Sequence, residues 1–179
     1  MGLKIKEIIE KKLLSSLSIN DDLPIKLDIN MNEKFEEVLH YEIVTDNDSF
    51  FEIEILKDSG AIKSILLINC NEKDIKYTPE LFLDLSKVIT GEPLIDTSIF
   101  VLSESQNYFE RFYREKEFKL LIAKNGIEIR FNINNLSKRT ISIGGECFLG
   151  ISDENKINSF IIIWASENQK QRFKESIYQ

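Results

Sequence analysis

Glu52 and Glu54 stand two residues apart in FFEIEILK. In an extended chain both carboxylates would leave the same face about 7 Å apart, a spacing suited to general acid and base work or to a divalent cation. The single histidine, His40 in LHYEI, is the one ring on which any Ser-His-Asp or Cys-His arrangement would have to rest. We place it at a passage from helix to strand, as a surface or capping residue. Cys70 and Cys147 each lie in strand-like apolar sequence, where cysteines are inert core residues, and no disulfide is expected between them. The chain has no C-x-x-C, H-E-x-x-H, Walker loop or G-x-G-x-x-G, so the common metal, thiol-redox and nucleotide mechanisms lack their local geometry. Asp46-Asn47-Asp48 is too short for a calcium loop and reads as a turn. We therefore assign no catalytic residue, no metal and no cofactor. Phe51, Ile53 and Ile55 fall opposite the two glutamates, so the pair reads as the wet face of a half-buried strand.

The acids are concentrated in one stretch. Residues 33–58 hold Glu33, Glu36, Glu37, Glu42, Asp46, Asp48, Glu52, Glu54 and Asp58 against Lys34 and Lys57, which equals the formal charge of -7 for all 179 residues. A localised acidic patch can steer and orient a basic partner, whereas diffuse acidity mainly confers solubility. Glu36, Glu37, Glu42, Asp46, Asp48, Glu52 and Glu54 are the candidate partner-binding residues. Residues 107–139 are locally basic, with Arg111, Arg114, Lys116, Lys119, Lys124, Arg130, Lys138 and Arg139 against four Glu, near Tyr108, Phe109, Phe112 and Tyr113. An RNA-stacking patch would look like this, but so would core aromatics with a charged rim, and the whole chain is acidic. Nucleic acid is not an expected partner.

The elements that would position these residues follow from periodicity. Leu3, Ile5, Ile8, Ile9, Leu13, Leu14 and Leu17 recur near helical spacing, predicting an amphipathic N-terminal helix. Pro24 precedes the alternation of Ile25, Leu27 and Ile29, a short strand whose initial proline suits an edge or a strand start. From Tyr41 to Asn69 the pattern is a meander with turns at 46–48 and 58–60, and its ILLI run predicts a central strand covered on both faces by helices. Thr78-Pro79-Glu80 has the residues of a helix start, continued by Leu81, Phe82, Leu85, Val88 and Ile89 and ended by Gly91 and Pro93. Ser98 to Ser103 resembles a strand, and periodicity leaves 104–117 undecided. Asn125-Gly126 between apolar runs signals a hairpin whose turn residues tolerate positive φ. Strands over 140–165 bend at Gly144-Gly145 and turn at 153–155. Ser166 with Gln169 forms a capping box for a C-terminal helix that turns Phe173 and Ile177 to the core.

These elements give an α+β class: antiparallel meanders in a twisted sheet, packed by an N-terminal, a central and a C-terminal helix, in a single domain over 1–179. DSGAIKSILLI at 58–68 and DENKINSFIII at 153–163 share an Asp, two Ile and a Ser at matching positions, which suggests a pseudo-repeat of 20–90 and 97–179. The first segment is broken by Lys4, Lys6, Glu7, Glu10, Lys11 and Lys12, so no export signal is read, and ILLI and FIIIWA fall far short of the roughly 20 residues that span a bilayer. A cytoplasmic protein with no membrane partner is expected. The abundance of Ile, Lys, Asn and Glu points to an AT-rich bacterial genome.

A compact acidic domain with meanders, a turn such as Asp58-Ser59-Gly60 and no catalytic residues resembles the small α+β immunity proteins of bacterial polymorphic toxin systems. The resemblance covers architecture and no diagnostic motif, so it carries over no site residues. It implies a non-enzymatic protein that neutralises a basic toxin by binding it. Two other classes fit the sequence: an acidic chaperone for a secreted protein, and an enzyme or metal-binding protein that uses the surface carboxylates.

Overall fold

The computed structural model describes residues 2–29, 36–81, 87–103, 112–131 and 137–178, with the side chains of 101–103, 112 and 113 outside the description. In chain order the strands are β1 (Ile5–Ile9), β2 (Ser15–Ser18), β3 (Ile25–Ile29), β4 (Val38–Val44), β5 (Phe50–Leu56), β6 (Ile62–Asn69), β7 (Ile75–Tyr77), β8 (Val88–Thr90), β9 (Glu92–Ile95), β10 (Phe112–Glu115), β11 (Lys119–Ile122), β12 (Gly126–Arg130), β13 (Arg139–Ser142), β14 (Cys147–Ile151) and β15 (Ile157–Ile163). Among the described residues there is one α-helix, α1 (Glu167–Ile177), with 3-10 turns at Glu72–Asp74 and Thr97–Ser103. The fold is thus mostly β, and the α+β class with three packing helices is corrected.

A six-stranded sheet runs β10-β4-β5-β6-β3-β2 and a seven-stranded sheet runs β7-β11-β12-β15-β14-β13-β8, while β1 and β9 form a separate antiparallel pair. Each large sheet turns one apolar face inward. Leu27, Tyr41, Phe51, Ile53 and Ile65 from the first join Leu120, Ile129, Leu149, Phe160 and Ile162 from the second in one core. Phe51 is fully buried, and its ring centroid lies 5.0 Å from that of Phe131, 6.1 Å from Phe118 and 6.4 Å from Phe160. The alternation in β5 places Phe51, Ile53 and Ile55 inside and Glu52 and Glu54 outside, as the sequence pattern requires. A smaller apolar cluster of Leu81, Ala123, Phe148 and Ile161 is joined by Val88, Leu121 and Ile163.

The two large sheets share more than a core. β2-β3-β6-β5-β4 and β11-β12-β15-β14-β13 have the same order, a hairpin laid beside a three-stranded meander. Leu17↔Leu27, Leu27↔Ile65 and Glu52↔Leu66 in the first match Leu120↔Ile129, Ile129↔Phe160 and Phe148↔Ile161 in the second. The two similar segments, 58–68 and 153–163, hold the same place in this scheme: a turn and the strand that follows it.

Several departures from periodicity have local causes. A β-bulge between Ile5 and Glu7 changes the parity of β1, so Ile5 and Ile8 both reach the core although three residues apart. That imitates helical spacing, and the expected N-terminal helix is instead β1 and β2. Pro24 opens β3, which is flanked by β2 and β6 and is not an edge. Where the sequence predicts a central helix, Thr78 extends the β7–β11 pairing by donating to the Ile122 carbonyl (2.9 Å), and Val88 and Ile89 lie in β8. Phe82 and Leu85 are outside the described residues. Thr97–Ser103 forms a 3-10 turn in place of a strand, opened by the Ser98 N–H donating to Oδ1 of Asp96 (3.1 Å). Within 104–117, β10 is a strand and 104–111 lies outside the described residues.

The Asn125-Gly126 hairpin forms, but neither residue has a positive φ. Glycine is required by proximity, because a Cβ at Gly126 would stand 2.2 Å from the Ile162 carbonyl oxygen. Asn125 clamps Leu81 in both directions: its Oδ1 accepts from the Leu81 N–H (2.8 Å) and its Nδ2 donates to the Leu81 carbonyl (2.9 Å). Gly144 and Gly145 make a bend with φ of 107° and 55°. α1 begins at the Ser166 cap, whose Oγ accepts from the Gln169 N–H (3.2 Å), while the Gln169 side chain returns one residue further back, to Ala165 N–H (2.8 Å). Phe173 and Ile177 join the main apolar core, whereas Leu66 and Ile68, the outward residues of the ILLI strand, stay half-buried.

Candidate functional site: a charged face on the six-stranded sheet

His40 and Glu42 on β4 and Glu52 and Glu54 on β5 all point outward from the six-stranded sheet. Antiparallel pairing sets His40 directly opposite Glu54 and Glu42 directly opposite Glu52. His40 is therefore a mid-strand residue, not one at a helix-to-strand passage. Like charges directly across a strand pair are destabilising, and the surrounding residues offset this one. Nδ1 of His40 donates to Oε1 of Glu52 at 2.5 Å. Nε of Arg114, brought in by β10 as it pairs parallel to β4, donates to Oε2 of Glu42 at 2.8 Å, and a terminal guanidinium nitrogen contacts the same oxygen. Glu54 accepts from the Ser64 hydroxyl (2.6 Å) and pairs with Lys63 (3.3 Å). Lys63 reaches it because a bulge between Glu54 and Ile55 re-aims that part of β6.

The charged groups differ in exposure. Glu42 is 8% exposed, Glu52 13%, Glu54 22% and His40 25% at their side chains, whereas Arg114 is 64% exposed. The Glu42 carboxylate is buried and those of Glu52 and Glu54 are half-buried, all held in fixed directions, while the Arg114 guanidinium caps Glu42 from the solvent side. One ligand atom each from His40, Glu52 and Glu54 lie within 4.8 Å of one another, so these three could hold a divalent ion. Ser64 and Lys63 already engage Glu54, and an ion would compete with Lys63 for that carboxylate.

The other candidate acids lie at the two ends of these strands. Glu36 and Glu37 are half-buried before β4, where Glu36 accepts from Ser59 Oγ (3.3 Å) and Glu37 pairs with Lys57 (2.9 Å). Asp46 and Asp48 are exposed in the β4–β5 turn, with Asp48 at φ 67°. The seven residues therefore do not form one cluster: Glu42, Glu52 and Glu54 come together with His40, and the rest flank them. Glu33 is outside the described residues.

A second polar centre, not foreseen from the sequence, closes the same end as Asp46 and Asp48. Asp74 is 2% exposed and accepts from Thr45 Oγ1 (2.6 Å), Ser49 Oγ (2.8 Å), Asn47 Nδ2 (3.0 Å) and Lys119 Nζ (2.6 Å). Burial pushes its carboxyl up, but the hydrogen bonds from Lys119, Thr45, Ser49 and Asn47 outweigh that and hold it below the usual carboxylate range. Lys119 belongs to β11, so this clasp ties the β4–β5 turn to the opposite sheet.

Four of the eight cations of the basic stretch contact side chains of their own chain. Arg114 meets Glu42, Lys119 meets Asp74, Arg130 pairs with Glu128 (2.6 Å) and Arg139 contacts Asn155. Arg111, Tyr108 and Phe109 are outside the described residues. Cys70 and Cys147 are free thiols, each pushed up to about 12 by burial, which keeps them protonated and unreactive at neutral pH. A cleft of about 210 Å³ lined by Ile5, Lys6, Glu7, Ile8, Arg139 and Asn155 opens where β1 passes the β14–β15 turn, and none of the seven acids lines it. No helix among the described residues is long and apolar enough to cross a membrane. No known protein family matches the chain, and no curated protein matches it.

Proposed function

We propose that this chain is a non-enzymatic protein-binding protein of the cytoplasm, an immunity protein that neutralises a basic toxin through the charged outward face of its six-stranded sheet. One observation carries the reading. By register, His40, Glu42, Glu52 and Glu54 correspond to Thr140, Ser142, Phe148 and Gly150 in the seven-stranded sheet. The equivalent positions of the other sheet carry none of these charges, so the shared strand framework does not itself call for them. At the same register one sheet turns out Phe148 and Ile161 beside Leu81, and the other turns out a half-buried acidic ladder. Glu52 is followed on the neighbouring strand by Leu66, and half-buried Ile68 and Phe50 extend the apolar border of the acids. Fixed acids beside apolar side chains suit a basic protein partner: charge sets the encounter rate and orientation, and desolvated apolar contacts supply lasting affinity.

Affinity capture from native-source lysate, with elution along a salt gradient, tests this. A stoichiometric basic protein that is toxic when freed, and harmless when bound, is the expected result. Recovery of the bait alone at low salt would overturn the reading.

A further inference from the structure

The correspondence between the two sheets extends to a pair of contacts at their tips. β5 and β6 are joined by a turn in which Leu56 N–H donates to the Ala61 carbonyl (2.8 Å), and β14 and β15 by one in which Ser152 N–H donates to the Lys156 carbonyl (2.9 Å). Gly60 (φ 75°) and Asn155 (φ 58°) occupy the same left-handed position. A bulge adjoins each turn, where β6 pairs with Glu54 and Ile55 and where β15 pairs with Gly150 and Ile151. At each tip the carbonyl of the left-handed residue accepts a hydrogen bond from a distant strand: Gly60 from Ile95 N–H (2.7 Å) and Asn155 from Ile5 N–H (2.8 Å). Isolated bridges repeat the match, Ala61↔Leu94 and Lys4↔Lys156.

The donors come from the wrong half in both cases. β1 precedes the hairpin and meander of the six-stranded sheet yet docks on the β14–β15 tip, whereas β9 precedes those of the seven-stranded sheet yet docks on the β5–β6 tip. Ile5 and Ile95, the two equivalent donors, face one another in the β1–β9 pair. We propose that the chain is two copies of one β-unit fused in tandem, starting at β1 and at β9, in which each unit offers a tip of its meander, β5–β6 or β14–β15, as a docking edge for the leading strand of the other. The contact is made by backbone groups, so it reads an extended strand and not a particular side chain. Gly60 suits this role, because a Cβ there would stand 2.5 Å from the Ile95 carbonyl oxygen. Neither the match nor the exchange depends on the proposed binding function.

The test starts from the full chain with a protease-cleavage sequence inserted between Leu81 and Lys87. After cutting, the two pieces are expected to run as one particle of unchanged size, and to re-form it when separated in denaturant and remixed. Removing residues 1–9 should weaken that reassociation at least 100-fold. Hydrogen exchange on the uncut chain gives an independent reading. Loss of residues 1–9 should speed exchange of the Ile157 amide, which donates to the Leu3 carbonyl (2.8 Å), more than tenfold, while the β2–β3 hairpin of its own unit stays protected. Pieces that part under native conditions, or a β1 deletion that opens β2–β3 and leaves residues 152–157 protected, would overturn the exchange.

Discussion

Replacing Asp74 with Ala is expected to lower stability by about 2–4 kcal/mol, because the buried Thr45 and Ser49 hydroxyls are left unsatisfied and the part-exposed Lys119 loses its carboxylate. Thr45, Ser49 and Asn47 lose their acceptor in the same step. Ser49 also accepts from the Asn71 N–H (2.8 Å), so the effect should spread from the β4–β5 turn to the segment after β6. Urea unfolding followed by tryptophan fluorescence would measure it. An unfolding free energy within about 0.5 kcal/mol of wild type, on the order of a surface change, would show that the clasp contributes little. The same carboxyl gives the protein an acid limit. Its pKa is lowered in the folded state, so its contribution is full above the unfolded value of about 3.9 and is lost as pH falls below that towards the folded value. Wild type should therefore lose stability below about pH 4, and the Asp74→Ala protein should show a shallower decline. Parallel acid titrations of the two proteins would contradict this.

Phe51→Ala should have a loss of similar size, about 3–5 kcal/mol, for a different reason. Phe51 lies between the sheets against the rings of Phe118, Phe131 and Phe160, and removing it empties the centre of the shared core. Strands held in two hydrogen-bonded sheets cannot close in freely, so the cavity term should persist. Phe51→Leu should lose less than half as much. If both variants unfold at the same denaturant concentration as wild type, the two sheets do not depend on this contact.

What the sequence revealed of this fold was its period-two content. FFEIEILK alternates without interruption, so its inner and outer faces were readable, as were the turns at 58–60 and 153–155 where the chain needs Gly60 and Asn155 at positive φ. What misled was spacing altered by local geometry. The β1 bulge converted a strand into an apparent helix, and Thr78-Pro79-Glu80, a good helix start by composition, was used to extend a strand pair and lead into a clamp on Asn125. Helix signals of this kind are local, and pairing with a distant strand overrode them.

The site was legible in the same partial way. Glu52 and Glu54 could be placed on a common face by alternation alone, and Glu42 joins them only through the β4–β5 register. Their company could not: Arg114 arrives from 72 residues away on a parallel strand, and Ser64 and Lys63 depend on a bulge. Alternation puts Glu52 and Glu54 on the wet face of the strand but does not show how far they are buried. That burial decides the variant, since a lysine at Glu52 would face His40 with no acceptor to offer. Glu52→Gln with Glu54→Gln keeps shape and hydrogen-bonding capacity while removing two charges. Asp74 had no pattern at all, because its four partners come from two distant parts of the chain, the β4–β5 turn and β11.

The measurement that bears most directly on the proposed function is the association rate of the captured basic partner, by stopped flow across a range of ionic strength, for wild type and for the Glu52→Gln/Glu54→Gln protein. Loss of two charges should slow association several-fold at low salt and flatten its salt dependence, with the folded protein otherwise unchanged. Identical rates and identical salt slopes for the two proteins would mean that the partner does not meet this face of the sheet.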